Sequence, residues 1–320
     1  MHLVPKCHIT VGSLKFEWSH ELEVVSSWKM LTDTAMIKLP ANIKFDEGVD
    51  KGDSLRTITD HIPFGAEVKI QLSANGDPET IFEGFVTEII SKVPIVLKCE
   101  DQMFKLKQGP VSDSGKDQKL KGLLSKHFSG IDTNAIDMEL GNYEIDNITQ
   151  AQILKQIQSD FGVYSFFRNG KLTVGKQYDS STKKVHIYDL DKDIIEESLE
   201  YKTADQIKVS VLATSEQPDG EKVEVKVGDT GGEQRTLNYY NLPEAELKAS
   251  AESELERYVY DGWRGDITVL GLQIVKHGDL VRLKYKSENV DKSSDYYVTQ
   301  VTSTFGVGGF RQKIELGIRK

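Results

Sequence analysis

Two widely separated stretches of this sequence share one pattern of alternating apolar residues. The first is residues 65–72 (GAEVKIQL), followed by residues 85–89 (FVTEI), and the second is residues 278–285 (GDLVRLKY), followed by residues 297–301 (YVTQV). Each reads as a glycine, a strand of period-two alternation, a polar loop and a second strand that opens aromatic-Val-Thr. The offset between the copies is 213 residues at the glycine and 212 at the Val-Thr pair. The sequence therefore predicts two hairpins with nearly equal loop lengths and the same residue pattern.

A repeated hairpin of this kind indicates two related β-rich units, each an antiparallel sheet or a small barrel. Chance similarity between alternating strands is the alternative explanation. The chain length of 320 residues supports two or three domains with cores of their own. The rest of the N-terminal part agrees, since residues 35–39, 66–72 and 93–97 alternate or run apolar over strand lengths.

The segment between the two hairpins predicts helices followed by a tight turn. A first helix carries its apolar side chains on one face, formed by Leu120, Leu123, Leu124 and Phe128. A second helix is predicted to begin at Thr149 as N-cap and to end at Gly162, with an apolar face of Ile153, Leu154, Ile157 and Phe161. The pair Asn169-Gly170 then stands between two apolar runs, which is a strong hairpin signal.

Strands resume after residue 185, and one more helix is predicted over residues 243–260. Pro243 suits its first turn, Gly262 closes it, and its apolar stripe consists of Leu247, Ala251, Leu255 and Tyr258. The predicted fold is therefore mainly β, with two related antiparallel β-barrel domains flanking a small α/β domain. The predicted domains are residues 1–104 (first barrel), 105–182 (α/β domain) and 183–320 (second barrel with the helix).

Composition excludes several classes of function. Fifty acidic and forty basic residues give a net charge of −10, spread along the chain, whereas nucleic-acid binding requires clustered Lys and Arg. The two cysteines, Cys7 and Cys99, provide neither a disulfide framework nor a CxxC motif. No signal segment and no apolar run of transmembrane length is present. We therefore expect a protein made in the cytoplasm, not secreted by a signal peptide and not inserted in a membrane.

No catalytic motif of the HExxH, GxSxG, Walker or GxGxxG type is present. The seven histidines are scattered, at positions 2, 8, 20, 61, 127, 186 and 277. The run Asp189-Leu-Asp191-Lys-Asp193, with Glu200 at the twelfth position, resembles an EF-hand loop, but Ile194 replaces the glycine needed at the sixth position. The stretch at residues 228–232 (GDTGG) lacks the context of a phosphate loop and is predicted to be a flexible loop. Catalytic, cofactor-binding and metal-binding residues are accordingly predicted to be none.

The string FEGFVTEI at residues 82–89 belongs to the first repeat. Gly84 is predicted to let the strand bend or to let another backbone approach closely. The two-residue period predicts that Phe85 and Thr87 share one face and that Val86 and Glu88 share the other. The string is thus interpreted as an architectural element.

The order of these parts resembles that of phage tail baseplate hub proteins, the group related to the late control protein D family and to the N-terminal hub region of type VI secretion spike proteins. Individually the matching strings are common, and their order and spacing carry the resemblance. They are Ser27–Ala35 leading to Leu39-Pro40, the Val68 strand with Phe82–Ile89, Phe166–Gly175, and the helix 243–260 followed by Gly278–Val281.

The resemblance implies a structural hub without enzymatic activity. It implies a homotrimer whose repeated barrels form a pseudo-sixfold ring, which joins the tail tube protein ring to a spike and leaves a central channel. DNA would pass through this channel without specific binding. Because the chain stops at Lys320, soon after its last strand, the spike is expected to be a separate protein. The hub would assemble in the host cytoplasm and then belong to the virion tail, or to a related injection or type VI apparatus.

Two other functions remain open on the sequence. One is a tail-associated peptidoglycan hydrolase that uses scattered carboxylates, because fifty acidic residues form many pairs by chance. The other is a β-rich carbohydrate-binding module, for which exposed aromatic rings would supply stacking surfaces. Trp18, Trp28 and Trp263 are predicted to be core or interface residues, which disfavours that module.

Overall fold

The computed structural model describes residues 4–40, 61–176, 178, 184–287 and 290–320. His2 and the predicted boundary at residues 182 and 183 lie outside the described residues. The chain is mainly β, with a large antiparallel sheet and several smaller sheets, and the predicted fold class is confirmed. Among the described residues, no helix combines the length and apolar character needed to cross a bilayer.

The N-terminal half consists of strands with one face on a shared core. Their spatial order is β3-β4-β7-β6-β5-β1-β2, for β1 (Lys6–Val11), β2 (Leu14–Phe16), β3 (Glu21–Ser27), β4 (Thr34–Leu39), β5 (Glu67–Ser73), β6 (Glu79–Ile90) and β7 (Ile95–Glu100). Alternation drives this arrangement, since every second residue of β1 and β5 is buried. The core contains Ile9, Leu22, Ile37, Ile70 and Leu97, among others.

The middle segment packs three helices, the first of them very short, on small sheets around a separate core. Its elements are α1 (Met103–Leu106), β8 (Pro110–Lys119), α2 (Leu120–His127), β9 (Thr133–Ala135), β10 (Glu139–Thr149), α3 (Gln150–Phe161), β11 (Val163–Arg168) and β12 (Lys171–Lys176). Thr149 is the N-cap of α3 and forms a capping box with Gln152, while Gly162 ends the helix in the left-handed conformation at φ 64°. Asn169 and Gly170 form the two-residue turn between β11 and β12, with φ 52° and 76°. These local predictions are confirmed.

The C-terminal half contributes six strands to the large sheet. They are β13 (Val185–Asp189), β14 (Ile194–Lys202), β18 (Gly262–Leu270), β19 (Leu280–Lys284), β22 (Ser294–Gly306) and β23 (Gly309–Arg319), in the order β14-β18-β23-β22, with β19 between β22 and β13. A short hairpin, β20 (Lys286–Ser287) with β21 (Val290–Asp291), lies outside the sheet. The core of this half includes Tyr188, Ile267, Leu283, Tyr296 and Ile314.

The two halves share one sheet, because β22 pairs antiparallel with β3 from Gln300 opposite Ser27 to Gly306 opposite Glu21. This pairing makes a 13-stranded sheet of the described strands. Phe305 and Phe310, from the C-terminal hairpin, lie in the core of the N-terminal half. Backbone pairing and side-chain packing therefore hold the two halves together.

Residues between β14 and β18 form a further small unit with its own core. It consists of β15 (Val209–Glu216), β16 (Lys222–Gly228), β17 (Glu233–Tyr240) and α4 (Glu244–Tyr258), with β15 in the middle of its sheet. Pro243 is the N-cap of α4, and Leu247 and Ala251 are fully buried. Gly262, predicted to close this helix, instead begins β18. The sequence did not separate this unit from the rest of the C-terminal half.

The repeated hairpins adopt the same structure. Glu67 pairs with Phe85, and Leu280 pairs with Tyr297, so the offsets of 213 and 212 residues found in the sequence also hold in space. Gly65 and Gly278 precede the first strand of each copy, with φ 77° and 82°. Their amides donate to the carbonyls of Val86 and Val298 at 2.8 Å in both copies. A shared register and a shared glycine turn favour true repetition over chance similarity.

Gly84 has the close contact expected of a glycine within a strand. A Cβ atom at this position would lie 2.1 Å from the carbonyl oxygen of Glu100. The alternation predicted for Phe85 to Glu88 holds as far as Val86 and is interrupted by a bulge at Thr87, between the Val86–Cys99 and Glu88–Lys98 pairs. Phe85 and Val86 are both buried, because Phe85 stacks on Phe104 with ring centroids 5.6 Å apart and Val86 belongs to the core of the N-terminal half. Thr299 occupies the same kind of bulge in the second copy.

Candidate functional site

The N-terminal half, the middle segment and the C-terminal half meet at a polar cavity of about 350 Å³. We call this region the junction. Its charged and polar lining comes from all three parts and includes Ser26, Asp33, Asp101, Arg168, Lys276 and His277. The junction is the place where the relative positions of the three parts are determined.

Trp28 is the central aromatic residue of the junction. It follows β3, is 6% exposed, and its amide donates to the carbonyl of Thr299 at 3.1 Å. Its ring meets Phe166 and His277 edge to face, with centroids 4.8 and 5.2 Å apart. Trp28 therefore packs on both other parts of the chain, which fits its prediction as a core or interface residue.

Arg168 projects from the middle segment into the junction at the end of β11. The tight Asn169-Gly170 turn places it there, and its guanidinium donates to the carbonyl of His277. Burial lowers the pKa of the Arg168 guanidinium, and the nearby carboxylates of Asp279 and Asp33 oppose this change by favouring its charged form. Arg168 thus links the middle segment to both halves.

A hydrogen-bonded chain joins β3 to the loop before β19. The Ser26 hydroxyl donates to Asp33 Oδ2 at 2.6 Å and lies 2.6 Å from His277 Nδ1. Because the hydroxyl has one hydrogen, His277 Nδ1–H is the donor to Ser26 Oγ. His277 Nε2 is then the bare nitrogen, and it has no hydrogen-bond partner among the described residues.

Burial, together with a smaller contribution from the neighbouring Arg168, lowers the pKa of His277 to about 3. A neutral His277 that donates to Ser26 is unable to take the serine proton. The order of groups, Asp33–Ser26–His277, also differs from that of a hydrolytic triad, in which histidine lies in the middle. The arrangement is therefore suited to holding the chain in place and does not activate Ser26 as a nucleophile.

Asp33 and Asp101 are neighbouring acids of the N-terminal half in the same cavity. Burial raises the pKa of Asp33 to about 6, although hydrogen bonds from Ser26 and Ser27 oppose the increase. Burial raises the pKa of Asp101 to about 8, and the proximity of Asp33 adds to the effect. The first half thus presents two acids to the cationic Arg168 and Lys276 of the other parts.

A second buried polar group supports the loop beside the junction. His186 is fully buried, with Nε2 3.0 Å from Asp279 Oδ2 and Nδ1 3.1 Å from Gln273 Oε1. Asp279 also accepts from the Lys276 amide at 3.0 Å. Burial opposes ionisation of Asp279, but these hydrogen bonds outweigh it and lower the pKa of the carboxyl. Residues 276–279 are consequently held from both sides.

The acidic run resembling an EF-hand is a self-contained turn between β13 and β14. Asp189 Oδ1 accepts from the Asp191 amide at 3.1 Å, and Asp193 Oδ2 accepts from the Asp189 amide at 2.8 Å. The carboxylates are thus used within the turn. In the part of the chain that the structure describes, no group of three or more His, Cys, Asp or Glu residues is arranged to hold a metal.

The glycine-rich stretch at residues 228–232 connects β16 to β17 across the start of β15. A Cβ at Gly232 would lie 2.1 Å from the carbonyl oxygen of Lys208, and the Asp229 amide donates to Val209 at 2.9 Å. The glycines therefore permit a tight crossing over a neighbouring strand. The stretch is a loop held in place by hydrogen bonds, and the flexibility predicted for it stays a prediction.

The three tryptophans have different environments. Trp28 is buried in the junction, and Trp263 is half-buried against Tyr201, with ring centroids 5.2 Å apart. Trp18 is 50% exposed and meets only His20 among the described aromatic rings. Trp18 is therefore not a core residue, and an interface position for it stays a prediction.

Sequence reasoning missed the junction, because its members come from distant parts of the chain. Asp33, Arg168 and His277 are separated by more than one hundred residues each, and none belongs to a local motif. The available signals were the Asn169-Gly170 turn, which positions Arg168, and the glycine of the second repeat, Gly278, which follows His277.

No protein-family model matches the sequence, and no curated protein sequence matches it significantly. Solved structures are similar over the whole chain. A tail protein from Neisseria meningitidis superposes with a TM-score of 0.66 at 14% identity, covering 99% of this chain and 96% of that one. The 43 kDa tail protein of prophage MuSo2 from Shewanella oneidensis gives 0.65 at 13% identity, covering 98% of each chain.

A third similar structure is an Escherichia coli component of the type VI secretion system, itself described as similar to bacteriophage T4 tail proteins. It gives a TM-score of 0.60 at 9% identity, covering 98% of this chain and 77% of that one. At these identities the likeness concerns the fold. The chain has the fold of these phage tail and type VI secretion proteins.

Proposed function

We propose that this protein is a structural hub of a phage or prophage tail baseplate, or of a related contractile injection apparatus. Three copies form a closed ring that joins the tail tube to a separate spike protein around a central channel. The observation that carries the proposal is the repeated hairpin, which has one register, one bulge and one glycine turn in both halves of a continuous sheet.

The repeat gives a physical reason for a trimer. Homo-oligomers form closed symmetric rings, and a threefold ring of a twice-repeated chain presents six similar surfaces. Such a ring matches a sixfold tube ring on one face and a threefold spike on the other. The junction supports this role, since Trp28 and Arg168 fix the relative positions of the repeated halves that the ring must present.

The charge of the chain suits passage of DNA through the channel. A net charge of −10 repels phosphate and avoids the retention that a basic lumen would cause. In this proposal the hub assembles in the host cytoplasm and becomes part of the virion tail or the injection apparatus.

The role is mechanical rather than catalytic. The hydrogen bonds of Ser26 with Asp33 and His277 support this proposal, because their order differs from that of a nucleophile activated by histidine. The exposed Trp18 stands apart from other described aromatic rings except His20, which gives little support to a sugar-stacking surface.

The mass of the purified protein in solution tests the proposal, measured alone and after mixing with tube protein. We expect a trimer, and a larger complex when tube rings are added. A protein that stays monomeric at high concentration and does not bind tube protein would contradict the proposed hub function. Digestion of purified cell wall by the protein would instead support the hydrolase, and glycan binding lost in Trp18→Ala would support the carbohydrate module.

A further inference from the structure

The repeat extends beyond the two hairpins to their neighbouring strands. In the N-terminal half the order is β6-β7-β4-β3, and in the C-terminal half it is β22-β23-β18-β14. All six pairings along these two paths are antiparallel. Strand β14 therefore occupies the place in the second half that β3 occupies in the first.

The two equivalent strands differ in their outer edges. The outer edge of β3 pairs with β22 of the other half. The outer edge of β14 has no partner strand among the described residues, and neither does β6 beyond Phe85 on the side of β5. The described strands thus make the contact that joins the halves once within the chain, and none of them covers the two edges that could make it a second time.

The residue equivalences give the register of this second contact. Glu88 follows the bulge at Thr87 and pairs with Lys98, and Gln300 follows the bulge at Thr299 and pairs with Glu315. Glu88 is therefore equivalent to Gln300, and Lys98 is equivalent to Glu315. Met36 pairs with Lys98 as Asp266 pairs with Glu315. Glu23 pairs with Met36 as Ser198 pairs with Asp266, so Glu23 is equivalent to Ser198. Four residues further along each strand, Ser27 is therefore equivalent to Lys202.

We propose that β14 of one copy pairs antiparallel with the end of β6 of the next copy, repeating the β3–β22 contact. Since Gln300 faces Ser27 within the chain, Glu88 faces Lys202 of the neighbour. Ile89 and Ile90 then face Tyr201 and Glu200. We call this contact the seam. The seam deepens the proposed function, on which it rests, by naming the strands that close the ring.

Charge and exposure on the two surfaces agree with the seam. Glu88 and Lys202 bear opposite charges, and their side chains are 52% and 36% exposed. In the same register, Lys92, just after β6, lies near the acidic stretch Glu196–Glu200 of β14. Exposed apolar side chains also lie at both surfaces, with Ile195 38% exposed on β14 and Val93 83% exposed in the turn after β6. Burial of such groups favours association.

The seam joins two different strands, so the contact is head-to-tail. Contacts of this kind close into rings when the rotation between copies permits. The acidic character of β14 disfavours pairing with a second β14, because like charges placed opposite each other across a strand pair are destabilising. A second copy that offers β6 therefore fits this edge better than one that offers β14.

A charge-reversal experiment tests the seam on the full chain. We expect Glu88→Lys and Lys202→Glu each to weaken self-association about tenfold, and the double variant to restore it. Glu83→Lys is the matched control, because Glu83 lies on the same strand, has the same 52% side-chain exposure and also forms an ion pair, with Lys69. It lies in the part of β6 that β5 already covers, and we expect wild-type association.

Cysteine cross-linking tests the register independently. With Glu88→Cys and Lys202→Cys in one chain, mild oxidation is expected to produce covalently linked oligomers on a non-reducing gel. The pair Glu83→Cys with Lys202→Cys serves as the out-of-register control. The native Cys7 and Cys99 are buried, and burial raises the pKa of each thiol to about 12, so they do not compete.

The outcomes distinguish failure of the proposed seam from failure of the proposed hub function. If the wild type assembles but neither charge reversal weakens it and no cross-link forms, the seam is wrong and the hub stands. If the wild type remains a monomer even with tube protein present, both are contradicted. Rescue in the double variant together with a register-specific cross-link supports both.

Discussion

Asp101 and Asp33 lie opposite each other at the ends of β7 and β4, and the Asp101 amide donates to the Asp33 carbonyl at 3.0 Å. Their side chains share the junction with Arg168 and Lys276. Two acids on adjacent strands in a buried site resist simultaneous ionisation. The stability of the chain should therefore depend on pH in a range where ordinary carboxyls are already charged.

The first prediction concerns this pH dependence. The pKa of Asp101 is raised from 3.8 to about 8, so the folded state binds its proton more tightly than the unfolded state does. Stability from this group is complete below the ordinary pKa and decreases as the pH rises toward 8. We expect the free energy of unfolding to fall by about 1 kcal/mol per pH unit between pH 5 and pH 8.

Denaturant unfolding at several pH values measures this slope in the wild type and in Asp101→Asn. The amide removes the titration and keeps an oxygen for the Met103 amide, which now donates to Asp101 Oδ1 at 3.0 Å. The variant should have a smaller slope and be more stable than the wild type at pH 8. Equal slopes in both proteins would show that Asp101 does not titrate as argued.

The second prediction concerns the aromatic centre of the junction. Removing the ring of Trp28, which is 6% exposed, leaves a cavity between three parts of the chain. We expect Trp28→Ala to lower the free energy of unfolding by about 3–5 kcal/mol. Trp18→Ala is the control, since Trp18 is 50% exposed, and its effect on the free energy should stay within about 0.5 kcal/mol. Similar losses in both variants would contradict the role assigned to Trp28.

The third prediction concerns Gly84. A Cβ at this position would lie 2.1 Å from the Glu100 carbonyl, so Gly84→Val should separate β6 from β7 and damage folding and assembly. Gly122→Ala is the control, because Gly122 lies within α2 with no atom within 4 Å of the added Cβ. Alanine is the better helix former by about 1 kcal/mol, so this control should fold at least as well as the wild type. A soluble, normally assembled Gly84→Val protein would show the close approach to be unimportant.

Much of the fold was predictable because its signals are local. Thr149 with Gln152, Gly162, and the Asn169-Gly170 turn each obey a short-range rule for helix ends or hairpins. The repeat was also readable, because Gly65 and Gly278 mark equivalent turns ahead of alternating strands. The strand alternation after Val86 was predicted wrongly, because a single sequence does not distinguish a strand with a bulge from a regular strand.

The junction and the pairing of β3 with β22 were not predictable in this way. Ser26 and His277 form a hydrogen bond across 251 residues, and no local pattern encodes such a contact. The unit built from β15, β16, β17 and α4 was also missed, because its strands alternate like those of the large sheet. Separate cores become visible only when the partners of each strand are known.

The β3–β22 pairing has a consequence for synthesis of the chain on the ribosome. Strand β3 ends at Ser27, whereas its partner is completed only at Gly306, long after β3 itself has been translated. Until then β3 has an open edge, and the core beneath it lacks Phe305 and Phe310. Contacts this distant in sequence form late and slowly, so the N-terminal half of the nascent chain keeps apolar surface uncovered until the β22–β23 hairpin has been synthesised.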